Sequence, residues 1–222
     1  MAADYVGVSL VTSTSHNSST SITVPAGATF ALVCFGGYDW ANAGAGSSCS
    51  LAGQAGTFVA NAGAAGGADE LSMIFRVSGF ATGSQTLTWV LNGTLYDGLQ
   101  IAVLFFSGVD ATPIRSSGTS LATSISIALS SIAGDMGVLF ISDWNYDCSS
   151  AGTGQTVRVN TGAYNNNYID ACTEPATGTT TTLTGTGGGD HSAIGVILAA
   201  AAGAGGLSIP VAMATFGRRR RT

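Results

Sequence analysis

The sequence predicts an all-β fold, an antiparallel β-sandwich of jelly-roll type built from two diverged repeats, with a C-terminal extended arm. Three observations point there. Runs of β-branched, aromatic and aliphatic residues alternate with Gly, Ser, Asn and Asp clusters at short intervals, as in sandwiches and barrels. No segment holds a 3.6-residue apolar period for three turns. Only 9% of the 222 residues are charged, and the 32 glycines come with many Ser, Thr, Ala and Asn. Small hydroxyl and amide side chains therefore keep the surface wet, which excludes a disordered polyanion and a nucleic-acid binder with a basic face.

Taken in order, strands are expected at residues 5–12, 19–24, 29–36, 57–60, 71–77, 85–91 and 99–109. A second set is expected at 124–129, 136–141, 156–160, 168–172, 179–184 and 193–200. The two sets run in the same order. The strand Thr29-Phe30-Ala31-Leu32-Val33-Cys34 leads to Tyr38-Asp39-Trp40, and Met136-Gly137-Val138-Leu139-Phe140-Ile141 leads to Asp143-Trp144-Asn145-Tyr146-Asp147. Gly53-Gln54 before one strand answers Gly154-Gln155 before another, and internal repetition of this kind signals a duplicated unit. The expected organisation is a β-sandwich domain over 1–206, with repeat halves at about 19–114 and 120–202, followed by an arm at 207–222. The strands 101–106 and 194–198 are apolar at almost every position. Burial on both faces explains such strands, and interleaving the halves into one jelly roll would provide it.

The chain has no lysine, and four of its seven basic residues form the run Arg218, Arg219, Arg220 and Arg221. Without that run the formal charge falls from −5 to −9, so the body is acidic and the tail is a separate basic element. The tail also carries Ile209, Val211, Met213 and Phe216 behind a glycine linker at Gly203, Gly205 and Gly206. An apolar segment outside a closed core is adhesive. These eight side chains are the expected partner-binding residues, docking on other copies of the chain or on a larger assembly. A fold-back onto the chain's own sheet, or a nucleic-acid contact by the arginines, are the alternatives.

No stretch reaches the ~18 apolar residues of a membrane helix, and Met1-Ala2-Ala3-Asp4-Tyr5 lacks the features of a signal peptide. No membrane role is expected. The cysteines Cys34, Cys49, Cys148 and Cys172 show no CxxC or zinc spacing. They are read as small buried hydrophobes, as loop-closing disulfides, or as metal ligands.

The segment Ile101-Ala102-Val103-Leu104-Phe105-Phe106-Ser107-Gly108-Val109-Asp110-Ala111-Thr112-Pro113-Ile114 resembles the aliphatic strand plus SGVD-x-x-PI element of a β-rich family found in phage virion proteins and bacterial surface proteins. The apolar strand 71–77 with its basic residue and the Thr86 to Trp89 strand also fit. The resemblance spans roughly residues 21–200, and only the SGVD segment is specific. The chain departs from the family by lacking its Pro-x-Gly-Trp signature before the third strand. What the resemblance implies is a structural or adhesive role with no catalytic motif to carry over. Read by itself, the segment is a corner: Gly108 permits a bend, Asp110 caps the turn, and Pro113 stops further pairing.

No nucleophile elbow, P-loop, HExxH or EF-hand spacing occurs. Asp190-His191-Ser192 is not a triad, because neighbours on a strand point to opposite faces. The chain is therefore expected not to be an enzyme and to use no cofactor. Carboxylates do gather in the paired loops, at Asp39, Asp143 and Asp147, which are weak candidates for Ca²⁺ ligands. Trp40, Trp144, Tyr146, Tyr164 and Tyr168 are candidate glycan contacts. The competing reading is loop-closing hydrogen bonds with the indoles plugging one end of the sandwich. The expected function is a phage virion structural protein, made in the host cytoplasm. It would be a capsid decoration protein or a head or tail appendage, homo-oligomeric and bound to a major capsid or tail protein. The alternative is a carbohydrate-binding adhesin or receptor-binding module acting on a host glycan.

Overall fold

The computed structural model describes residues 1–39, 46–63, 69–92, 95–144, 147–150, 152–188 and 190–202. The expected arm at 207–222, with all its partner-binding residues, lies outside the described residues, as do Trp40 and Tyr146.

The described chain is all strand and turn. In order come β1 (Asp4–Ser13), β2 (Asn17–Val24), β3 (Phe30–Asp39), β4 (Ser48–Leu51), β5 (Gln54–Ala55), β6 (Thr57–Ala62), β7 (Asp69–Ser78) and β8 (Gly83–Val90). Then follow β9 (Leu95–Ser107), β10 (Val109–Ser120), β11 (Ser124–Ser130), β12 (Met136–Trp144), β13 (Thr156–Asn160), β14 (Asn167–Pro175), β15 (Thr180–Thr186) and β16 (Asp190–Ala200). The expected strands all fall within or against these. Short β4 and β5, in a Ser/Gly-rich stretch, and the longer β10 are additions.

The strands form four antiparallel sheets. A large sheet runs β1-β9-β3-β7-β6 and a smaller one β2-β8-β4-β5. A second large sheet runs β10-β16-β12-β14-β13, with β11-β15 as its small companion. The expectation of interleaved halves is overturned: no ladder among the described residues joins a strand before Gly108 to one after it. The sheets instead stack in four layers.

Three cores define the stack. Phe35, Phe75, Trp89, Leu87 and Ile101 fill the space between the first small and first large sheets. Phe30, Leu32, Leu104 and Phe106 of the first large sheet meet Val138, Phe140, Ile194 and Val196 of the second. Ile125, Leu129, Leu139, Leu183 and Ile197 fill the last gap. This is why the central strands are apolar throughout. On β9, Ile101, Val103 and Phe105 face one core while Ala102, Leu104 and Phe106 face the other. Each such large side chain contributes about 1.5–3 kcal/mol on burial.

The corner read at 107–114 is only half a corner. Gly108 turns the chain with φ 65°, and the Asp110 carboxylate accepts from the Thr112 amide and hydroxyl at 2.9 Å each. But Pro113 does not end the pairing. It sits inside β10, where the ladder to β16 jumps from Val109↔Ala200 to Ile114↔Leu198. An edge strand with a bulge tolerates proline because no amide is required there.

At this corner three points of the chain meet. The Met1 ammonium donates to the Ala201 carbonyl at 3.1 Å, and the Ala201 amide donates to the Gly108 carbonyl at 2.7 Å. Beside it, Arg115 pairs with the buried Asp135.

Candidate functional site

At the opposite end of the stack, polar side chains lie between the two large sheets. The hairpin leading into β14 turns at Asn165 and Asn166, both left-handed (φ 48° and 63°), a conformation Asn accepts more readily than most residues. The turn delivers Asn167 to a buried position. Its carboxamide donates to Gly36 O at 2.7 Å in the first large sheet and accepts from Ser142 Oγ at 3.1 Å in the second. Its own carbonyl accepts from the Gln100 side chain. Nearby, Ser192 Oγ bonds Ser72 Oγ at 2.8 Å, and Ser72 Oγ donates to Ser192 O at 3.1 Å. Gly36 is required here, since a Cβ would stand 2.4 Å from Ser142 Oγ. The polar end is thus a set of staples between sheets.

Of the candidate metal ligands, Asp143 is buried on β12 opposite His191, and its Oδ2 accepts the Gly188 amide. Asp147 is exposed, and Asp39 is the last residue of β3. No group of three or more His, Cys, Asp or Glu suited to a metal ion occurs among the described residues. The candidate glycan residues are placed as follows. Trp144 is half-buried at the end of β12. The Tyr164 ring lies against Gly98, where a Cβ would come within 2.7 Å of it. Tyr168 packs on the core that holds Ile141 and Leu183.

One buried ionisable group near this end, Asp170 on β14, was missed by the sequence reading. Burial pushes the Asp170 carboxyl above the ordinary carboxylate range, and the nearby charge of Asp147 adds to it, against hydrogen bonds from Ser150 and Asn160. Gln155 inserts its amide into the last sheet, accepting from Thr184 N at 2.8 Å and donating to Thr184 O at 2.9 Å. A side chain here does the hydrogen bonding of a neighbouring strand. All four cysteines are buried and outside any disulfide, so the disulfide reading is set aside. Burial raises the Cys49 thiol to about 12 and Cys172 to about 11.

The stack has two lateral seams where edge strands of the large sheets approach one another. At one, β1 meets β13: the Arg158 guanidinium lies 4.2 Å from the centre of the Tyr5 ring and donates to Thr173 Oγ1 at 2.8 Å. At the other, β6 meets β10 and leaves an open groove of about 280 Å³ lined by Thr57, Phe58, Val59, Arg76, Pro113 and Ile114. Neither Arg76 nor the groove was singled out in the sequence, because its walls come from two different sheets. Comparison with known protein families, with curated proteins and with solved structures finds no match to the chain.

Proposed function

We propose that the chain is a non-catalytic structural subunit of a phage particle, a duplicated jelly roll that assembles with copies of itself and with a major capsid or tail protein. The observation that carries this reading is the covering of both large sheets on both faces, with the polar side chains between them engaged in staples. Such a chain is a stiff slab that presents edges and loops to neighbours. The resemblance of the SGVD segment supplies the phage assignment.

Several relations support the duplication. Counted from β1 and from β10, the large sheets have the same order, with β9 answering β16, β3 answering β12, β7 answering β14 and β6 answering β13. Both outer ladders bulge at the same place, between Phe58 and Ala60 and between Val157 and Val159. Both leading strands bulge too, after Tyr5 and after Ile114. In the first half, the strand orders β1-β9-β3-β7 and β2-β8-β4-β5 support the jelly-roll reading. The contacts between large sheets are reciprocal: β7 meets β16 as β14 meets β9, and β3 meets β12. That is the pattern of a two-fold, self-complementary interface, here enclosed within one chain.

Quantitative mass spectrometry of particles purified from a culture that makes the protein tests the assignment. The chain is expected in many copies per particle, and its absence from intact particles overturns the reading. A receptor-binding role for the same subunit is favoured by one observation, the open groove at the β6–β10 seam.

A further inference from the structure

We propose that the groove at the β6–β10 seam binds a carboxylate-bearing monosaccharide unit of a surface glycan, its carboxylate paired with Arg76. This rests on the receptor-binding reading above and not on assembly into a particle.

The cation inventory is the first argument. Among the described residues the arginines are Arg76, Arg115 and Arg158. Arg115 pairs with Asp135, and Arg158 lies over Tyr5 with Thr173 as acceptor. Arg76 is half-buried in the groove wall, and among the described residues the ion pair and the cation–ring contact belong to Arg115 and Arg158 and not to it. A partly desolvated guanidinium is costly without a partner, and its planar fork suits a carboxylate held by two parallel bonds. The chain holds 12 Asp and Glu, so a cation left unmatched in an acidic body points outward.

The two seams supply the second argument. Ladder register makes Ile114 the counterpart of Tyr5, and Val59 the counterpart of Arg158, since each pair occupies the same bulge. Arg76 then stands where Thr173 stands, opposite Thr57 as Thr173 is opposite Thr156. At the first seam an internal ring closes over the arginine. At the second, the ring position holds Ile114 and the arginine has moved one strand inward, so the space above it is open.

The remaining walls select the ligand class. Val59, Pro113 and Ile114 give the groove an apolar wall for the C–H side of a pyranose, and Phe58, 46% exposed with its ring held edge-on against Phe75, borders it. Thr57 is exposed, and the Thr112 hydroxyl is oriented by donating to Asp110, so both can accept from sugar hydroxyls. The volume, about 280 Å³, suits one ring. A peptide strand adding to β6 is disfavoured by the bulge at Val59, which breaks the run of regular edge hydrogen bonds.

The full chain is titrated with methyl glucuronide, N-acetylneuraminate, methyl glucoside, acetate and N-acetylglutamate amide, with binding followed by NMR shift changes at residues 57, 58, 76 and 112. At least one sugar acid is expected to bind roughly tenfold or more tightly than the neutral glucoside. The R76Q variant is expected to lose that preference while keeping its melting temperature, and R76K to retain part of it. Binding unchanged in folded R76Q overturns the proposal, as does equal binding of the glucoside, or no binding by either sugar acid. Acetate or the glutamate amide binding as tightly as the sugar acids overturns the sugar class. If R76Q fails to fold, the R76K titration and the wild-type shift map decide. Particle incorporation is a separate readout: R76Q is expected to enter particles as wild type does and its selective loss overturns this proposal, whereas wild-type chain missing from particles overturns the assembly reading alone.

Discussion

Asn167 donates its carboxamide proton to the carbonyl of Gly36 at 2.7 Å, joining the two large sheets across 131 residues of chain. Replacing Asn167 by Leu leaves that buried carbonyl without its donor, a loss of about 1–3 kcal/mol. N167D is expected to be worse at neutral pH, because an ionised carboxylate cannot donate and faces carbonyls. Its deficit shrinks as acid restores a proton. Urea unfolding of both variants at neutral pH and near pH 4 checks the sign.

The Asp135 carboxylate accepts from Arg115, from the Ile132 amide and from the Ala200 amide. Burial alone pushes its pKa up, but these donors and the arginine charge outweigh it and hold the group below the ordinary carboxylate range. The stability it contributes is therefore fully present above the ordinary range, and is lost as pH falls through the lowered value. D135A is expected to cost about 1–3 kcal/mol at pH 7, chiefly because the Ile132 and Ala200 amides lose their acceptor, since Arg115 is exposed to water. The difference from wild type should narrow towards pH 2 in thermal melts.

Asp170 titrates in the opposite sense. Its folded pKa is raised, chiefly by burial, so the native state gains from its proton below the unfolded value and loses that gain as pH rises through the folded one. Carboxyl carbon NMR should place its midpoint above the usual carboxylate range. D147N should move the midpoint down, and an unmoved midpoint rules out the charge of Asp147 as a cause.

The thiols should be silent in the native protein. All four are buried, and those of Cys49 and Cys172 ionise only near 12 and 11. A thiol reagent at pH 8 should label none within minutes, and all four after denaturation.

How far these features were legible in the sequence depends on what each strand faces. Ser124–Ser130 alternates strictly between exposed and buried positions, and its pattern can be read directly. The apolar runs around Ile101 and Ile194 signalled two buried faces, and the stack supplies them. β10 was missed because Asp110, Pro113 and its small polar residues look like loop, while its pairing is dictated by β16. Asp143 read as a loop carboxylate but ends a buried strand. Asn167 carried no signal of its buried place, since Gly36 and Gln100, its partners across the stack, lie in another sheet. Arg76 stood out only as a basic residue in an apolar strand, since the groove around it exists only after two sheets are stacked.

The meeting of Met1, Gly108 and Ala201 at one corner has a consequence for chain connectivity. Each half starts and finishes at that corner, so the polypeptide path is two closed circuits sharing a node. A circular permutant opened at Gly108, with a short glycine linker from Ala202 back to Met1, would keep every ladder and every contact between sheets. It is expected to fold to the same circular dichroism spectrum with β10 to β16 synthesised first. The order in which the halves are translated is then interchangeable.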